Sequence, residues 1–223
     1  MKVLYKLTSR SRPQKFIDTV ENIYINSRNK DFSILATLDK DDTTMNNEAM
    51  IEKMKLYDKL YPVFGVSATK IEAYNRDMDK ASEWDILINH SDDMVFIVDG
   101  YDEIIEKDMS TYFPDLDGVI HYHDGNRGDL LTLPIMGRKY YDRFNYIYHS
   151  SYKSLFCDDE QMHVAKILGK YKYMGDNKRI VKHMHPAWGT AKMDELYARN
   201  EDRALWDIDE RNFNERRKRN FDL

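Results

Sequence analysis

The sequence predicts an α/β protein built on a mostly parallel sheet, and three observations carry that prediction. In the first half, short apolar strands alternate with segments whose apolar residues recur at helical spacing, a rhythm that implies right-handed crossovers between parallel strands. Trp84-Asp85-Ile86-Leu87-Ile88-Asn89 is an apolar run of strand length that stops at Ser91-Asp92-Asp93-Met94. A buried strand cannot leave two adjacent charges inside without partners, so the pair must emerge at its carboxyl end, where open α/β sheets keep their ligand crevice. A second acidic cluster, Asp39-Lys40-Asp41-Asp42, closes an earlier strand and falls on the same edge.

Taken in chain order, Val3 to Thr8 reads as the first strand, and Phe16, Ile17, Val20, Ile23 and Tyr24 then recur at helical spacing. Phe32 to Leu38 is the second strand. Asn47 to Leu60 reads as a helix with Met50, Ile51, Met54, Tyr57 and Leu60 on one stripe. Pro62 to Val66 is the third strand, and a short helix around Lys70 to Asp79 leads to the fourth and its acidic pair. The second half changes style. Strand-like pieces at Gly118 to Tyr122, Leu130 to Met136 and Tyr146 to His149 precede a helix from about Asp159 to Leu168. No repeat, low-complexity run or linker is visible, so one domain is expected across 1–223. It divides into a ligand-binding half at 1–95, a second half at 96–190 and a charged helical tail at 191–223 that wraps the outside.

Composition bounds the function. With 42% apolar and 13% aromatic residues the chain can bury a full core, while 33% charged residues and a mean hydropathy of -0.73 argue for a soluble protein. Apolar stretches fall far short of the ~20 residues of a bilayer span, and Met1 to Lys6 lacks a signal-peptide core, so the cytoplasm is the expected location. The single cysteine, Cys157, excludes an internal disulfide. A net charge of -5 does not suggest a general polyanion binder. The basic cluster Arg216-Arg217-Lys218-Arg219 reads either as a solvated helix end or as a patch for a membrane surface or nucleic acid.

An acidic pair at a strand end suits a divalent metal held against a diphosphate, because hard cations prefer carboxylate oxygen. Such a pair alone can equally cap a turn or the helix that follows. Arg12 and Lys70 offer positive charge to a diphosphate or ribose, or plain surface charge. His183 and His185 stand two apart, so in an extended segment both point to one side. His121 and His123 share a face in the same way and suggest a second metal site. Phosphate-binding GxxxxGK[ST], GxGxxG, CxxC and GxSxG signatures are all missing, which weakens kinase, dehydrogenase, zinc-module and serine-hydrolase readings.

Several of these segments, in order, are similar to one family. Thr8-Ser9-Arg10-Ser11-Arg12-Pro13 after strand one, Asp39 after strand two, Lys70-Ile71-Glu72-Ala73-Tyr74-Asn75 in the third crossover and Ser91-Asp92-Asp93-Met94 resemble the nucleotide-sugar half of glycosyltransferase family two. Phe156-Cys157-Asp158-Asp159-Glu160 resembles its acidic acceptor-side motif, and His183-Met184-His185-Pro186 its late histidine segment. The resemblance implies the GT-A fold, a Rossmann-like, mostly parallel sheet flanked by helices with a smaller acceptor-side sheet. It implies inverting transfer from a nucleoside diphosphate sugar, of UDP type, with Mn²⁺ or Mg²⁺. Thr8, Ser9, Arg12, Asp39, Lys70 and Asp92 would bind the donor, and Asp93 with His183 or His185 the metal. Asp158 would be the base, with Asp159 the alternative. The acceptor is expected to be a glycan such as a cell-surface polysaccharide precursor, with a modified nucleotide in DNA or a protein side chain as other hydroxyl acceptors. A sugar-nucleotide nucleotidyltransferase shares the fold, yet Thr8 to Pro13 lacks that class's glycine-rich loop. A non-catalytic nucleotide-sugar-binding module is the remaining alternative.

Overall fold

The computed structural model describes residues 1–200 and 202–223. Strands and helices alternate through the first half as β1 (Val3–Thr8), α1 (Pro13–Asn26), β2 (Phe32–Asp39), α2 (Glu48–Met54), β3 (Leu60–Gly65), α3 (Lys70–Asn75) and β4 (Ile86–Ser91). The second half runs β5 (Met94–Phe96), α4 (Tyr101–Tyr112), β6 (Val119–His121), β7 (Ile135–Gly137), α5 (Arg138–Asp142), α6 (Cys157–Ile167), β8 (Tyr171–Tyr173), β9 (Val181–His183), α7 (Glu195–Asn200) and α8 (Arg203–Lys218).

Seven strands form one sheet in the order β3-β2-β1-β4-β7-β6-β8, and β5 pairs with β9 in a second, antiparallel sheet. The four amino-terminal strands are mutually parallel, whereas β7 runs antiparallel to both β4 and β6. The fold class read from the sequence is therefore the fold observed. Parallel strands are covered on both faces, and β1 shows how. Val3, Tyr5 and Leu7 pack on one side with Phe16, Val20 and Ile23 of α1, while Leu4 joins Leu35, Leu87 and Met136 on the other. Phe16, Val20 and Ile23 are wholly buried, and Phe16→Ala would cost about 3–5 kcal/mol. Between these faces Lys6 continues the alternation as a buried lysine, bonded to Thr37 Oγ1 and to the Arg76 carbonyl at 2.6 Å.

Several elements depart from expectation. The helix expected from Asn47 to Leu60 ends at Met54, and Leu60 opens β3 opposite Ile34. Turn hydrogen bonds from Tyr57 N to Met54 O and from Leu60 N to Tyr57 O replace the helix, so a turn carries the apolar period onward. The helix expected to reach Asp79 ends at Asn75, where Arg76 turns extended, and Asp77 takes a left-handed φ of 68° before a 3₁₀ turn at Met78–Lys80. In the second half only Ile135 and Met136 of the expected Leu130–Met136 strand join the sheet, in β7, which extends to Gly137. Residues 146–149 form no strand. Their amides are satisfied by a side chain instead, Asn75 Oδ1 accepting from Ile147 N at 2.9 Å and Tyr148 N at 3.1 Å. Helix α4 had no counterpart in the sequence reading.

The carboxyl-terminal helix α8 lies on the surface, as expected, and is anchored through three buried side chains, Asp209, Phe213 and Arg216. Buried Asp209 of α8 accepts from the backbone amides of Lys153, Ser154 and Leu155 at 2.7–2.9 Å, fixing the turn that leads into α6. Arg216, 5% exposed, is paired inside the protein with Glu160 of α6, so the basic cluster loses its first member to the core. Among the described residues no helix is long and apolar enough to cross a membrane.

Candidate active site

The register of the parallel strands decides where the polar residues meet. Thr8 lies opposite Thr37 on one side and Ser91 on the other, so Ser9, Asp39, Asp92 and Asp93 all emerge beyond one edge of the sheet. Helix α3 and the start of α6 roof that edge, and a cleft of about 710 Å³ opens between them. Thr8, Ser9, Arg12, Asp39, Lys70, Asp92, Asp93, Asp158, His183 and His185 all line it. Asp159 does not.

The acidic pair divides its work. Asp92 is 7% exposed and accepts from Ser9 Oγ at 2.5 Å and Arg12 Nη1 at 2.8 Å. Burial and the neighbouring Asp93 push its carboxyl above the ordinary range, against the pull of Arg12 and Ser9. Asp93 is surrounded by donors: Ser91 Oγ on Oδ1, Tyr197 OH on Oδ2 at 3.0 Å, and His183 Nε2 3.6 Å from Oδ2. Burial alone would raise Asp93, but His183, Ser91 and Tyr197 hold it well below the usual carboxylate range. Burial likewise works against His183, yet Asp124 at 3.3 Å and Asp93 hold its imidazole up at about 9.

The two late histidines stay together, ring centroids 5.2 Å apart, but meet different partners. His183, the last residue of β9, faces Asp93. His185 starts a 3₁₀ turn at Pro186–Trp188, where its Nδ1 accepts from Ala187 N at 3.3 Å and its ring stands against Tyr197. On the far side of the cleft, Asp39 Oδ2 accepts from Arg10 Nη1 at 2.9 Å, while Asp39 Oδ1 and the nearby Ser67 Oγ are buried without partners among the described residues. Each is an unpaired polar atom in a wall of the cleft, and such atoms are costly unless a ligand satisfies them.

The cations also differ. Arg12 is fully engaged: beyond Asp92 it grips Asp194 through Nε and Nη2 at 2.9 and 2.7 Å, and its guanidinium lies 4.0 Å over the Tyr197 ring. It orients Asp92 and clamps the segment before α7 onto the cleft. Lys70 forms no ion pair among the described residues and is half-buried. Burial pulls its ammonium down, but Tyr74, Cys157, Asp158 and Asp93 hold it above its ordinary value. It stands in the cleft wall with Arg10, Arg127, Lys153 and Arg199 as further cations along the lining.

The acidic run at the start of α6 points three ways. Asp158 faces the cleft, and burial raises its carboxyl against the opposing field of Lys70. Asp159 is raised to about 6 by burial and by Asp158. Glu160 turns inward to Arg216, at 2.7 and 2.9 Å, and to Tyr152 OH at 2.6 Å. At the second histidine pair, His121 and His123, no three His, Cys, Asp or Glu side chains gather among the described residues. His121 Nδ1 bonds Tyr171 OH at 2.5 Å, with burial lowering the ring to about 4, and His123 Nδ1 accepts from Gly125 N. Three participants went unread in the sequence: Asp124, Asp194 and Tyr197. Tyr197 lies 104 positions from the Asp93 it touches, and no local pattern links the two.

Among the described residues no three His, Cys, Asp or Glu side chains converge on one point. The pair that does converge, Asp93 and His183, still fits a divalent cation. A hard cation bound beside a diphosphate takes one or two protein ligands and completes its shell with phosphate oxygens and water. A carboxylate and an imidazole backed by a second carboxylate are a suitable donor set.

No protein-family model matches the chain, and no curated protein matches it. Solved structures do. The mannosyltransferase PcManGT from Pyrobaculum calidifontis, in complex with GDP-Man and Mn²⁺, superposes with a TM-score of 0.64 at 12% identity over 84% of this chain and 59% of its own. S. aureus TarS residues 1–349 with UDP-GlcNAc gives 0.60 at 12% identity, over 86% of this chain and 62% of that one. A structure of S. aureus TarS gives 0.59 at 14%, over 82% and 36%. This chain thus spans less than two thirds of the length of each. The likeness establishes the GT-A fold.

Proposed function

We propose that the protein is a glycosyltransferase that moves a sugar from a nucleoside diphosphate, of UDP type, to an acceptor hydroxyl with inversion. The observation that carries this reading is the meeting, in one cleft, of Asp93 with His183, of Asp158, and of the unpartnered Asp39 Oδ1. The donor half, 1–95, would seat the nucleotide. Asp39 accepts N3–H of uracil, and Ser67, Thr8 and Ser9 supply further hydroxyls along the same wall. Lys70 neutralises part of the diphosphate charge. Asp93 and His183 would hold Mn²⁺ or Mg²⁺, which as a Lewis acid supplies charge stabilisation to the departing diphosphate.

The chemistry of the chain's own residues is then simple. An acceptor O–H lies against Asp158, which takes the proton as the oxygen attacks the anomeric carbon. The bond from that carbon to the diphosphate oxygen breaks, and the nucleoside diphosphate leaves. A carboxyl with a raised affinity for protons is a better base near neutral pH than an exposed one, and burial gives Asp158 that property. The acceptor side, 96–190, is joined by Trp188 and Trp206, each about 40–50% exposed and facing the cleft, surfaces suited to the ring of an acceptor glycan.

A donor screen tests the reading. UDP-, GDP- and CDP-sugars with Mn²⁺ are compared by thermal shift, since a ligand that binds only the fold stabilises it by mass action. The expected result is a metal-dependent rise with UDP-sugars, followed by slow UDP release. No shift with any nucleotide would refute it.

A further inference from the structure

We propose that Asp124 is a positioning residue for the cation site: it fixes the His183 ring so that Nε2 is the nitrogen presented beside Asp93. The inference rests on the metal reading above and adds to it a residue outside the motifs that suggested it.

Asp124 follows β6 and is wholly buried. Its Oδ1 accepts from the amides of Asn126 and Arg127, both at 2.8 Å, and its Oδ2 from Thr132 Oγ1 at 3.0 Å and His183 Nδ1 at 3.3 Å. The same turn grips the His183 backbone. The His183 amide donates to Asp124 O at 2.8 Å, and Asn126 Nδ2 donates to His183 O at 2.7 Å. Gly125, at a φ of +92°, gives the reversal that lets residues 124 and 126 face β9 together. His183 is therefore held at its amide and one ring nitrogen by Asp124 and at its carbonyl by Asn126. A carboxylate only accepts hydrogen bonds, so Nδ1 must carry a proton, and the lone pair available to a cation is on Nε2. Such outer carboxylates set ligand orientation and typically govern metal affinity 10–100-fold.

Asp124→Asn separates positioning from structure. Its Oδ1 still accepts from the two backbone amides, but its NH₂ now faces Nδ1 and requires a lone pair there, which moves the ring proton to Nε2. Thr132→Val is the control: it removes a bond to the same carboxylate oxygen and leaves what His183 meets unchanged. Mn²⁺ binding in the presence of UDP is measured by the EPR signal of free Mn²⁺, with UDP affinity in EDTA measured by calorimetry. Asp124→Asn should weaken Mn²⁺ about 10–100-fold and approach His183→Ala, while Thr132→Val stays near wild type and UDP affinity in EDTA is unchanged in all. Equal losses in Asp124→Asn and Thr132→Val, or none in Asp124→Asn while His183→Ala loses binding, overturns the proposal alone. Absence of Mn²⁺ binding in the wild type overturns the metal reading itself, and the positioning role with it. Should Asp124→Asn fail to fold by circular dichroism, Asn126→Ala tests the same clamp through the His183 carbonyl. A several-fold loss of Mn²⁺ affinity supports it, and wild-type affinity refutes it.

Discussion

Asp158→Asn offers the sharpest test of the chemistry. The substitution is isosteric and keeps the Oδ1 that accepts the Asp159 amide at 3.1 Å, so the start of α6 should stand. What disappears is a proton acceptor in the wall of the cleft. A positioned general base contributes about 10²–10⁴ in rate, which at about 1.36 kcal/mol per decade is about 2.7–5.4 kcal/mol of barrier. Asp159 lies outside the cleft, and Asp159→Asn should cost little. The environment adds a second signature. Because burial raises the Asp158 carboxyl above its ordinary 3.8, the protonated, inactive form persists to higher pH, and the rate should climb with pH through that raised value. Lys70 opposes the shift, so Lys70→Met should move the acid limb upward, and Asp158→Asn should abolish it. The assay is release of UDP from the donor found by screening, across pH, with donor affinity measured by calorimetry. Donor affinity should stay near normal in Asp158→Asn. A near-normal rate there with a collapsed rate in Asp159→Asn would move the base by one residue, and normal rates in both would remove α6 from the mechanism.

Other expectations follow from the same contacts. Asp93→Ala should weaken UDP binding strongly with the fold intact, and unchanged UDP affinity of the wild type in EDTA would end the metal assignment. Wild-type protein should prefer UDP to CDP, because Asp39 Oδ1 would face an unprotonated nitrogen in cytosine, and Asp39→Asn should relax that preference; equal calorimetric affinity of the wild type for both would count against it. Arg216→Ala leaves Glu160 buried with Tyr152 as its remaining donor, and removing one partner of such a pair costs about 3–5 kcal/mol. Urea unfolding that shows a loss under about 1 kcal/mol would mean that the pair is screened as surface pairs are.

Tyr197 and Arg12 show how the site depends on the far end of the chain. Arg12, which the sequence offers as a donor to a diphosphate or ribose or as plain surface charge, gives three N–H bonds to Asp92 and Asp194 and lays its guanidinium over the Tyr197 ring. It therefore acts through Asp92 and through the segment that brings the Tyr197 hydroxyl to Asp93. The cleft wall around Asp92 and Asp93 is held in shape by residues beyond position 190, a stretch whose composition suggested only an external helix.

The sequence by itself determined the parallel half of the sheet and the edge at which polar groups gather. A strand buried on both faces leaves its mark as an apolar run, and charges that end the run must emerge at its end. Asp39, Asp92 and Asp93 were legible for that reason, and Thr8 only through the motif that follows strand one. Lys70 and Asp158 were legible through ordered motifs, and His183 through its pairing with His185. Tertiary structure alone decided which of these residues meet and in what state. Two histidines two positions apart look equivalent in an extended chain, but β9 ends at His183 and a turn begins at His185. Three adjacent carboxyl groups look alike in sequence, but a helix rotates about 100° per residue, so Asp158 faces the cleft while Glu160 meets Arg216. Asp124, Asp194 and Tyr197 were invisible because their partners are 59, 182 and 104 positions away. Only the folded chain gives such separations a contact, and with it the charges that hold the Asp93 carboxyl below its usual range and the His183 imidazole above it.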